Sequence, residues 1–346
     1  MRLSQLLSGV AVLRPLEQDV EITALTFDSR KVKPGTAFCC ISGLNADGHD
    51  FARTAVEQGA SALIVQRPMD LNVPQVLVED TRATLPLLAA NFYGRPAEKM
   101  HMFGVTGTNG KTTTTYMLKT VLDAAGEKTG LLGTVALMAG DEVMGSSDRP
   151  GGAIANTLAL FLEKQCNCTV MEVSSHALSQ HRVDGIPYEV AVFTNLTQDH
   201  LDYHGTMEAY AAEKKKLFSM TKLGVFNADD PHTPYMKDGV PCDVLTFGID
   251  NKADIMAKDV HLGAEGIRYT LSTPIGEGKI ELSIPGRFTV YNSLACAAAL
   301  RLRPFAGTDC GRAAKAHTVP GRIEVIPTPS TPYRYFGLCP YAGRAG

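Results

Sequence analysis

The stretch 100–115 limits the fold more than any other part of the sequence. Met102 and Val105 belong to a short apolar run that predicts a buried strand, and a glycine- and threonine-rich loop follows it. Apolar residues then recur at helical spacing up to Ala125, and Gly126 is placed where a helix would end. A strand, a glycine-rich loop and a helix in this order indicate an α/β domain.

The loop before this helix has the composition of a phosphate-binding loop. Small residues let backbone N–H groups surround phosphate oxygens, and the positive end of the helix dipole adds to the attraction. Lys111 would supply a mobile cation for the terminal phosphates, and Thr112 a hydroxyl suited to Mg²⁺. The alternative is a glycine- and threonine-rich turn that happens to carry a surface lysine. The strand before the loop and the helix after it favour the phosphate-binding interpretation.

The spacing of the loop differs by one residue from the usual pattern G-x-x-x-x-G-K-[ST]. Counted back from Gly110, Gly104 lies one position too far away to open the loop. We therefore expect Thr106 or Gly107 to form the opening turn.

The composition is that of an ordinary soluble globular protein, with 45% apolar and 20% charged residues. A chain of 346 residues suggests two or three domains. The formal net charge of −3 predicts no nucleic-acid footprint and no membrane anchor. Lys214–Lys216 is the basic run of the sequence, and by itself it is more typical of a solvated helix face than of a site.

The N-terminus and the cysteines both indicate a cytoplasmic protein. Apolar residues from Leu3 to Val10 recur at helical spacing and predict an amphipathic helix rather than a signal peptide. The eight cysteines include no C-x-x-C pair, and Cys39 and Cys40 are adjacent in a predicted buried strand. Reduced thiols are the simplest account of this pattern.

Strands alternate with helices along most of the chain, which predicts mostly parallel α/β sheets. Residues 1–98 form a first predicted domain, 91–98 a linker with Gly and Pro, and 99–326 a second domain. The predicted elements of the first domain are Glu21–Phe27, Ala37–Ile41, Phe51–Gln58, Ala62–Val65, Gln75–Val78 and Thr84–Phe92. Further predicted strands are Cys168–Val173, Glu189–Phe193, Leu223–Phe226 and Val244–Phe247.

Polar clusters follow several of these strands, where ligands of parallel sheets bind. Glu172 ends an apolar strand, a position that is costly unless the carboxylate is paired or metal-bound. The cluster Phe193–Gly205 holds two aspartates and two histidines between positions 199 and 204, which suit either a metal site or a capped helix start. Asp28 and Ser29 fit ligand binding or turn capping. Asn227–Asp230 ends another strand, and Pro285–Asn292 precedes an alanine-rich helix.

A predicted helix at 210–218 places a lysine on its apolar face. Tyr210, Lys214, Leu217 and Phe218 share this face by their spacing. A buried ammonium group is unfavourable unless its charge is cancelled or the amine is chemically changed.

Taken together, these motifs resemble those of the Mur ligases, ATP-dependent amino-acid-adding enzymes of peptidoglycan assembly. The similarity extends from near residue 1 to about residue 326 and is strongest to the tripeptide synthetases of that family. The motifs that carry it are Asp28-Ser29-Arg30, Gly107-Thr-Asn-Gly-Lys-Thr-Thr113, Glu172-Val-Ser-Ser-His-Ala-Leu178 with Gln180 and Arg182, Asp199-His-Leu-Asp-Tyr-His-Gly205, and Pro320-Gly-Arg-Ile-Glu324.

The resemblance implies an N-terminal α/β domain that binds a UDP-linked substrate and a central ATP-binding P-loop domain. The implied reaction adds a diamino acid, meso-diaminopimelate rather than L-lysine, to UDP-N-acetylmuramoyl-L-alanyl-D-glutamate through an acyl phosphate. ATP and Mg²⁺ are the implied cofactors, and a cytoplasmic monomer without nucleic-acid or membrane partners is expected. Another ligase of the superfamily, such as a folylpolyglutamate synthetase or a cyanophycin-type enzyme, is the alternative, as is a non-catalytic nucleotide-binding remnant.

The resemblance also assigns roles to individual residues. The implied ATP-binding residues are Gly107, Thr108, Asn109, Gly110, Lys111, Thr112, Thr113 and, for adenine, Asn292. The implied substrate-binding residues are Phe27, Ser29, Leu44, Asn45, Ala46, Ser174, Gln180 and Arg182. Lys214 matches the family's carboxylated lysine, which with Thr112, Glu172 and His200 would hold metal. Lys111, Lys214 and His200 are the implied catalytic residues.

The sequence departs from the family pattern at two places. Where the family has paired threonines that contact the muramoyl-peptide, this chain has Ser146–Gly152, and Ser147 and Asp148 are nearest by spacing. The second departure is the end of the chain, 327–346, which stands in place of the family's Rossmann-like C-terminal domain.

A one-base frameshift explains this second departure. Arg334–Gly346 can be back-translated so that the shifted frame encodes Val-Ile-Leu-Asp-Tyr-Ala-His-Thr-Pro-Asp-Gly-Leu, which is similar to the opening of the absent domain. We therefore expect a frameshift near Tyr333, natural or from sequencing, and little or no ligase activity from the chain as it stands.

Overall fold

The computed structural model describes residues 1–43, 46–145, 151–300, 324–328 and 331–336. The chain divides into two compact units. The first unit contains residues 1–99, the helix at 151–163 and residues 176–186. The second contains the described residues of 100–148, 164–175 and 187–346.

The helices and strands follow one another in the alternation that the sequence predicts. The described α-helices are α1 (Leu3–Leu6), α2 (Ala52–Glu57), α3 (Thr81–Phe92), α4 (Lys111–Ala124), α5 (Gly151–Glu163), α6 (Ser175–Ser179), α7 (Leu201–His204), α8 (Met207–Lys215), α9 (Thr233–Lys237) and α10 (Arg287–Ala299). The strands up to the middle of the chain are β1 (Ala24–Thr26), β2 (Thr36–Cys39), β3 (Ala60–Val65), β4 (Gln75–Leu77), β5 (His101–Thr106), β6 (Thr129–Leu132), β7 (Leu137–Ala139), β8 (Glu142–Gly145) and β9 (Cys168–Glu172). The later strands are β10 (Tyr188–Phe193), β11 (Thr221–Asn227), β12 (Asp243–Gly248), β13 (Ile255–Gly263), β14 (Gly266–Thr273), β15 (Gly276–Leu282), β16 (Glu324–Thr328) and β17 (Thr331–Phe336).

The first unit is built on a four-stranded parallel sheet in the order β1-β2-β3-β4. Its α3 begins at an aspartate cap, because Asp80 Oδ1 accepts the N–H groups of Arg82 and Ala83 at 2.7 and 3.1 Å. Leu3 and Leu6 of α1 are fully buried in its core. The amphipathic helix expected through Val10 ends at Leu6, since Gly9 has a φ of +73° and turns the chain out of the helix.

The second unit contains an eleven-stranded sheet in the order β15-β14-β13-β12-β11-β10-β5-β9-β6-β7-β8. The strands from β13 through β6 in this order are parallel, whereas β14, β15, β7 and β8 extend the two edges in antiparallel pairs. The prediction of a mostly parallel α/β sheet is confirmed. The carboxyl ends of β11, β10, β5, β9 and β6 are therefore neighbours, and the predicted polar clusters follow these strands.

Two features of the second unit were not anticipated from the sequence. The antiparallel strands at its edges were missed, although Ile267, Tyr269 and Leu271 alternate with more exposed residues as a half-buried strand requires. The segment 285–292 was expected to precede a helix, but α10 begins at Arg287 and includes most of it. Gly286, at a φ of +102°, is the N-cap, so Asn292 lies inside α10.

Within the described ranges, Cys39, Cys40, Cys166, Cys168, Cys242 and Cys296 form no disulfide. None of the helices described is long and apolar enough to cross a membrane.

Candidate active site

The glycine-rich loop joins β5 to α4 at the centre of the large sheet. Gly107 takes the opening turn at a φ of +147°, and Gly110 precedes α4 at a φ of +86°. A Cβ atom on Gly107 would lie 2.0 Å from Thr194 Oγ1 and 3.0 Å from the carbonyl oxygen of Asn195. Only glycine fits this position, because a side chain would be strained by the backbone angle and would collide with the next strand's loop.

The segment Thr194–Thr197, which we call the strap, follows β10 and holds the first half of the loop. The N–H of Thr108 donates to the carbonyl of Asn195 at 2.9 Å, and the N–H of Asn109 donates to the side-chain oxygen of Asn195 at 3.0 Å. Thr194 Oγ1 donates to the carbonyl of Asn109 at 2.6 Å, and Thr197 exchanges two hydrogen bonds with Thr108 Oγ1. Two loop N–H groups, those of Thr108 and Asn109, thus donate to the strap.

Two lysines converge on one carbonyl oxygen of the loop. Lys111 Nζ donates to the carbonyls of Gly107 and Thr108 at 2.9 and 2.8 Å, and Lys214 Nζ donates to the same Gly107 carbonyl at 2.9 Å. Lys214 is 1% exposed. Burial lowers the pKa of its amine well below the ordinary lysine value, the nearby Lys111 lowers it further, and Asp199 opposes this in part.

The aromatic ring of Tyr210 packs against this lysine. The amine of Lys214 lies 4.5 Å from the centroid of the buried Tyr210 ring. The Tyr210 hydroxyl lies 3.3 Å from Thr108 Oγ1, so the same side chain contacts the loop. The four residues expected on the apolar face, Tyr210, Lys214, Leu217 and Phe218, are all buried. The helix is shorter than predicted, because α8 ends at Lys215 and the last two residues lie in the 3₁₀ turn Lys216–Ser219.

Glu172, at the end of β9, is tied to the start of α4. Its carboxylate accepts hydrogen bonds from Thr112 Oγ1 at 3.0 Å, from the N–H of Thr134 at 3.0 Å and from Thr134 Oγ1 at 3.1 Å. The Glu172 side chain is buried. Burial raises the pKa of Tyr116, and the nearby charge of Glu172 raises it further. Gly133 leaves room for the carboxylate, since a Cβ there would lie 2.8 Å from Glu172 Oε1.

The histidine-rich segment after β10 begins with strained backbone. His200 has a φ of +52° and forms the N-cap of α7, while its Nε2 lies 3.4 Å from Asp199 Oδ2. Its ring centroid is 6.3 Å from that of Tyr210, so it borders the Lys214 pocket. His204 Nε2 lies 2.9 Å from Ser175 Oγ, and burial lowers the pKa of this imidazole.

The donor set suits a hard cation more than a soft one. In the part of the chain that the structure describes, no group of three or more histidine, cysteine and acidic side chains is placed to hold a metal. Thr112 and Glu172 already form an oxygen pair at 3.0 Å. Oxygen donors are what Mg²⁺ prefers, and a carboxylated Lys214 would add another. The residues present therefore fit the expected magnesium site only with that modification.

Asn292 lies on α10 and contacts the start of α4, the helix that follows the loop. Its side-chain oxygen accepts a hydrogen bond from Thr114 Oγ1 at 3.3 Å, and a Cβ on Gly110 would lie 2.7 Å from the same atom. The asparagine is buried and so is fixed against the first turn of α4.

The residues expected to bind substrate are divided between the units. Phe27, Ser29, Ala46, Gln180 and Arg182 lie in the first unit, and Ser174, which follows β9, lies in the second. Arg182 donates to Gln180 Oε1 at 2.6 Å. The other four, Leu44, Asn45, Ser147 and Asp148, lie outside the described residues.

Ser29 follows an aspartate that caps a short 3₁₀ turn, Ser29–Lys31. Arg30 grips the carboxylate of Asp28 with two nitrogens at 2.8 and 2.9 Å, which lowers the pKa of Asp28 to about 2. The turn-capping interpretation of Asp28 is therefore correct. It leaves Ser29 at the first position of the turn.

A buried histidine fixes the chain after Ala46. His49 Nδ1 lies 2.7 Å from Asp47 Oδ1, and its Nε2 accepts the N–H of Gln66 at 3.0 Å. Arg67 donates to the other oxygen of Asp47 at 2.8 Å. Hydrogen bonds from His49 and Arg67 hold the pKa of Asp47 below its usual range.

Sequence reasoning missed one functional neighbour, Thr134, and included the strap in the cluster Phe193–Gly205 without giving it a role. Thr134 stands just after β6, and the strap stands just after β10. Both are polar segments at the carboxyl end of an apolar strand, which is the signal that identified Glu172. Their importance depends on strand order, which no local pattern gives.

The fold and the site together define an α/β P-loop protein whose loop lies against a buried carboxylate and a buried lysine. Residues 105–300 match the Mur ligase middle domain, and residues 21–93 match the Mur ligase family, catalytic domain. The first match covers more than half of the chain. The chain belongs to the Mur ligase family.

Relatives within the family are similar over most of this chain. The UDP-N-acetylmuramoyl-L-alanyl-D-glutamate–2,6-diaminopimelate ligase of Geobacillus kaustophilus is 43% identical over 318 residues, covering 88% of this chain and 65% of the relative. The enzyme of the same name from Bacillus cereus is 43% identical over 326 residues, covering 90% and 66%. The chain thus spans about two thirds of the length of these relatives.

Solved structures agree with this assignment. A structure of a UDP-N-acetylmuramoyl-L-alanyl-D-glutamate–2,6-diaminopimelate ligase superposes with a TM-score of 0.78 at 27% identity, covering 89% of this chain and 65% of its own. The MurF ligase of Thermotoga maritima, solved with ADP, has a TM-score of 0.61 at 23% identity, covering 88% and 69%. The second comparison supports the fold alone.

Proposed function

We propose that the protein is an ATP-dependent ligase that joins 2,6-diaminopimelate to UDP-N-acetylmuramoyl-L-alanyl-D-glutamate, a step of peptidoglycan synthesis. The observation that carries the proposal is the convergence of Lys111 and Lys214 on the Gly107 carbonyl, beside the Thr112–Glu172 pair. A loop that only bound a nucleotide would need no second, buried lysine. The relatives of this name and the solved ligase structure support the choice of substrates.

In this proposal the loop Gly107–Thr113 binds the phosphates of ATP. Lys111 Nζ moves from the carbonyls of Gly107 and Thr108 to the terminal phosphates, and the N–H groups at the start of α4 donate hydrogen bonds to phosphate oxygens. Asn292, fixed against α4 by Thr114, faces the adenine.

Lys214 is poised for carboxylation by CO₂. Because its pKa is lowered by burial and by Lys111, the amine is neutral more often than an ordinary lysine and keeps a free electron pair. The nitrogen attacks the carbon of CO₂, an N–C bond forms, and one N–H proton leaves to solvent. The product is a carbamate anion, which turns a destabilising buried cation into a partner for Lys111.

Mg²⁺ would be held by Thr112, Glu172, His200 and carboxylated Lys214, and would neutralise the phosphate charge. The chain's own contribution is to exclude water around Lys214 and to orient the Thr112 hydroxyl through Glu172. Phe27, Ser29, Leu44, Asn45, Ala46, Ser147, Asp148, Ser174, Gln180 and Arg182 are the proposed contacts to the UDP-linked substrate.

The proposed reaction has two steps. A γ-carboxylate oxygen of the D-glutamyl residue attacks the γ-phosphorus of ATP, and ADP leaves to give an acyl phosphate. The amino nitrogen of diaminopimelate then attacks the acyl carbon, inorganic phosphate leaves, and the amine gives up a proton. Positioning and charge neutralisation carry such a phosphoryl transfer. We place this reaction in the cytoplasm and propose a monomer, which sedimentation would check.

The test is a binding experiment with the 346-residue chain, with ligase turnover measured alongside. We expect MgATP and the UDP-linked dipeptide each to bind, and Lys111→Ala to weaken MgATP at least tenfold because its phosphate cation is lost. Lys216→Ala is the matched control, since this exposed lysine near the end of the same helical stretch as Lys214 pairs only with Glu213 among the contacts described. Equal losses in both variants, or no binding of the UDP-linked dipeptide, would overturn the proposal.

A further inference from the structure

The segment Asn227–Asp230, at the end of β11, has no role in the proposed chemistry. Its polar side chains nevertheless all form hydrogen bonds. Asn227 and Asp230 are buried, and Asp229 is half-buried. Such groups are stable only with hydrogen-bond partners. Asp230 Oδ1 accepts the N–H of His232 at 2.9 Å, next to the turn itself. The longer-range partners lie on two elements beside the nucleotide loop, the strap and α10.

The first of these elements is the strap. Asn227 Nδ2 donates to the carbonyl of Thr194 at 2.8 Å, and Asp230 Oδ2 accepts the N–H of Leu196 at 2.9 Å. These contacts fix Thr194 and Leu196, two residues of the segment that holds Thr108 and Asn109. Asp230 therefore acts on the first half of the loop indirectly, through the strap.

The second element is α10, which Asp229 connects to the loop after β12. Asp229 accepts the N–H groups of Ile249, Asp250 and Asn251 at 2.6, 3.0 and 2.6 Å, and the hydroxyl of Tyr291 at 3.0 Å. Tyr291 is the residue before Asn292 on α10. One carboxylate thus joins the loop after β12 to the helix that carries the proposed adenine contact.

We propose that Asp229 and Asp230 are positioning residues with separate targets: Asp230 orders the phosphate-binding loop through the strap, and Asp229 orders α10 and Asn292. The inference rests on the proposed nucleotide site. Asparagine keeps the shape of either side chain but offers one acceptor oxygen instead of two charged ones. Each Asp→Asn change therefore weakens the hydrogen bonds to one element and leaves those to the other element in place.

The experiment compares the binding of MgATP and of magnesium tripolyphosphate, which has no adenosine, to the full chain and its variants. We expect Asp230→Asn to weaken both ligands by a similar factor of about tenfold, because both contact the loop. We expect Asp229→Asn to weaken MgATP several-fold and to leave tripolyphosphate within twofold of wild type. Each variant serves as the other's control.

Asp254→Asn is a third variant that measures general destabilisation. Asp254, an exposed aspartate just before β13, accepts two hydrogen bonds from Thr246 on β12 through Oδ2, so its carboxylate anchors the same sheet and, among the contacts described, does so without the strap. It should lower thermal stability without changing the binding of either ligand. Variants at 229 and 230 that show the same ratio between the two ligands, or losses that follow thermal stability alone, would overturn the inference. Failure of the wild-type chain to bind MgATP would overturn the proposed function, and this inference with it.

Discussion

At the scale of single residues, Lys214 is a lysine whose amine is almost completely removed from water. Its amine is buried, lies near Lys111 and forms its hydrogen bond with a backbone carbonyl rather than with a carboxylate. Such a site penalises the charged form in the folded protein but not in the unfolded chain. The unmodified lysine should therefore reduce stability at neutral pH.

This gives a prediction for stability against pH in CO₂-depleted buffer. Between the lowered pKa of Lys214 and the ordinary value of 10.5, the unfolded chain binds a proton that the folded chain does not. The free energy of unfolding should therefore rise with pH in that window. Lys214→Met should remove this rise and stabilise the protein at neutral pH, whereas exposed Lys216→Met should keep it. Denaturant unfolding measured across the window checks this, and equal slopes in all three proteins would contradict it.

The same pair of variants tests carboxylation directly. With ¹³C-labelled bicarbonate, wild type and Lys216→Met should show a carbamate carbon resonance, and Lys214→Met should lack it. A resonance that persists in Lys214→Met would assign the modification to a different amine.

At the scale of elements, the loop between β5 and α4 depends on the strap from β10. The loop comes closest to the strap at Gly107, where the φ of +147° and the neighbouring Thr194 leave no room for a side chain. The loop geometry is therefore imposed by two strands together and not by the loop alone.

We expect Gly107→Ala to lower the free energy of unfolding by about 2–4 kcal/mol, from backbone strain and collision together. Adding Thr194→Ala should recover part of the loss, because it removes the hydroxyl that lies 2.0 Å from the new Cβ but not the strain. Gly278→Ala is the control, since no heavy atom lies within 4 Å of a Cβ at that position. Chemical denaturation of the four proteins measures this, and a loss at Gly278 as large as at Gly107 would refute the argument.

At the scale of the whole molecule, the proposed ligand contacts separate by compact unit. The nucleotide contacts lie in the second unit, whereas most of the proposed contacts to the UDP-linked substrate lie in the first. The two ligands should therefore protect different parts of the chain.

Hydrogen exchange with mass spectrometry checks this separation. MgATP should slow exchange in residues 107–115 and 194–197, and the UDP-linked dipeptide should slow it in residues 27–31, 46–49 and 176–182. Lys111→Ala should lose the first pattern and keep the second. Protection of 27–31 by MgATP alone would contradict the assignment of contacts.

Much of the fold could be predicted because it is recorded locally. Apolar runs identified β5 and β9–β12 to within a few residues, and the order strand, glycine loop, helix identified the P-loop. The inner strands β6 and β13 and the edge strands β7, β8, β14 and β15 were missed, because these segments lack a continuous apolar run. The N-terminal helix was predicted too long, since a single glycine at position 9 ended it.

The sequence by itself determined the α/β class, the phosphate-binding loop and the oddity of a lysine on an apolar helix face, because each depends on neighbours within a few residues. Only the tertiary structure decided that Gly107 opens the loop, that Glu172 meets Thr112, and that Lys214 shares a carbonyl with Lys111. Those contacts join residues far apart in the chain, 60 positions for Thr112–Glu172 and 107 for Gly107–Lys214. They form because parallel strands bring their carboxyl ends to one edge, and strand order is a property of the whole sheet.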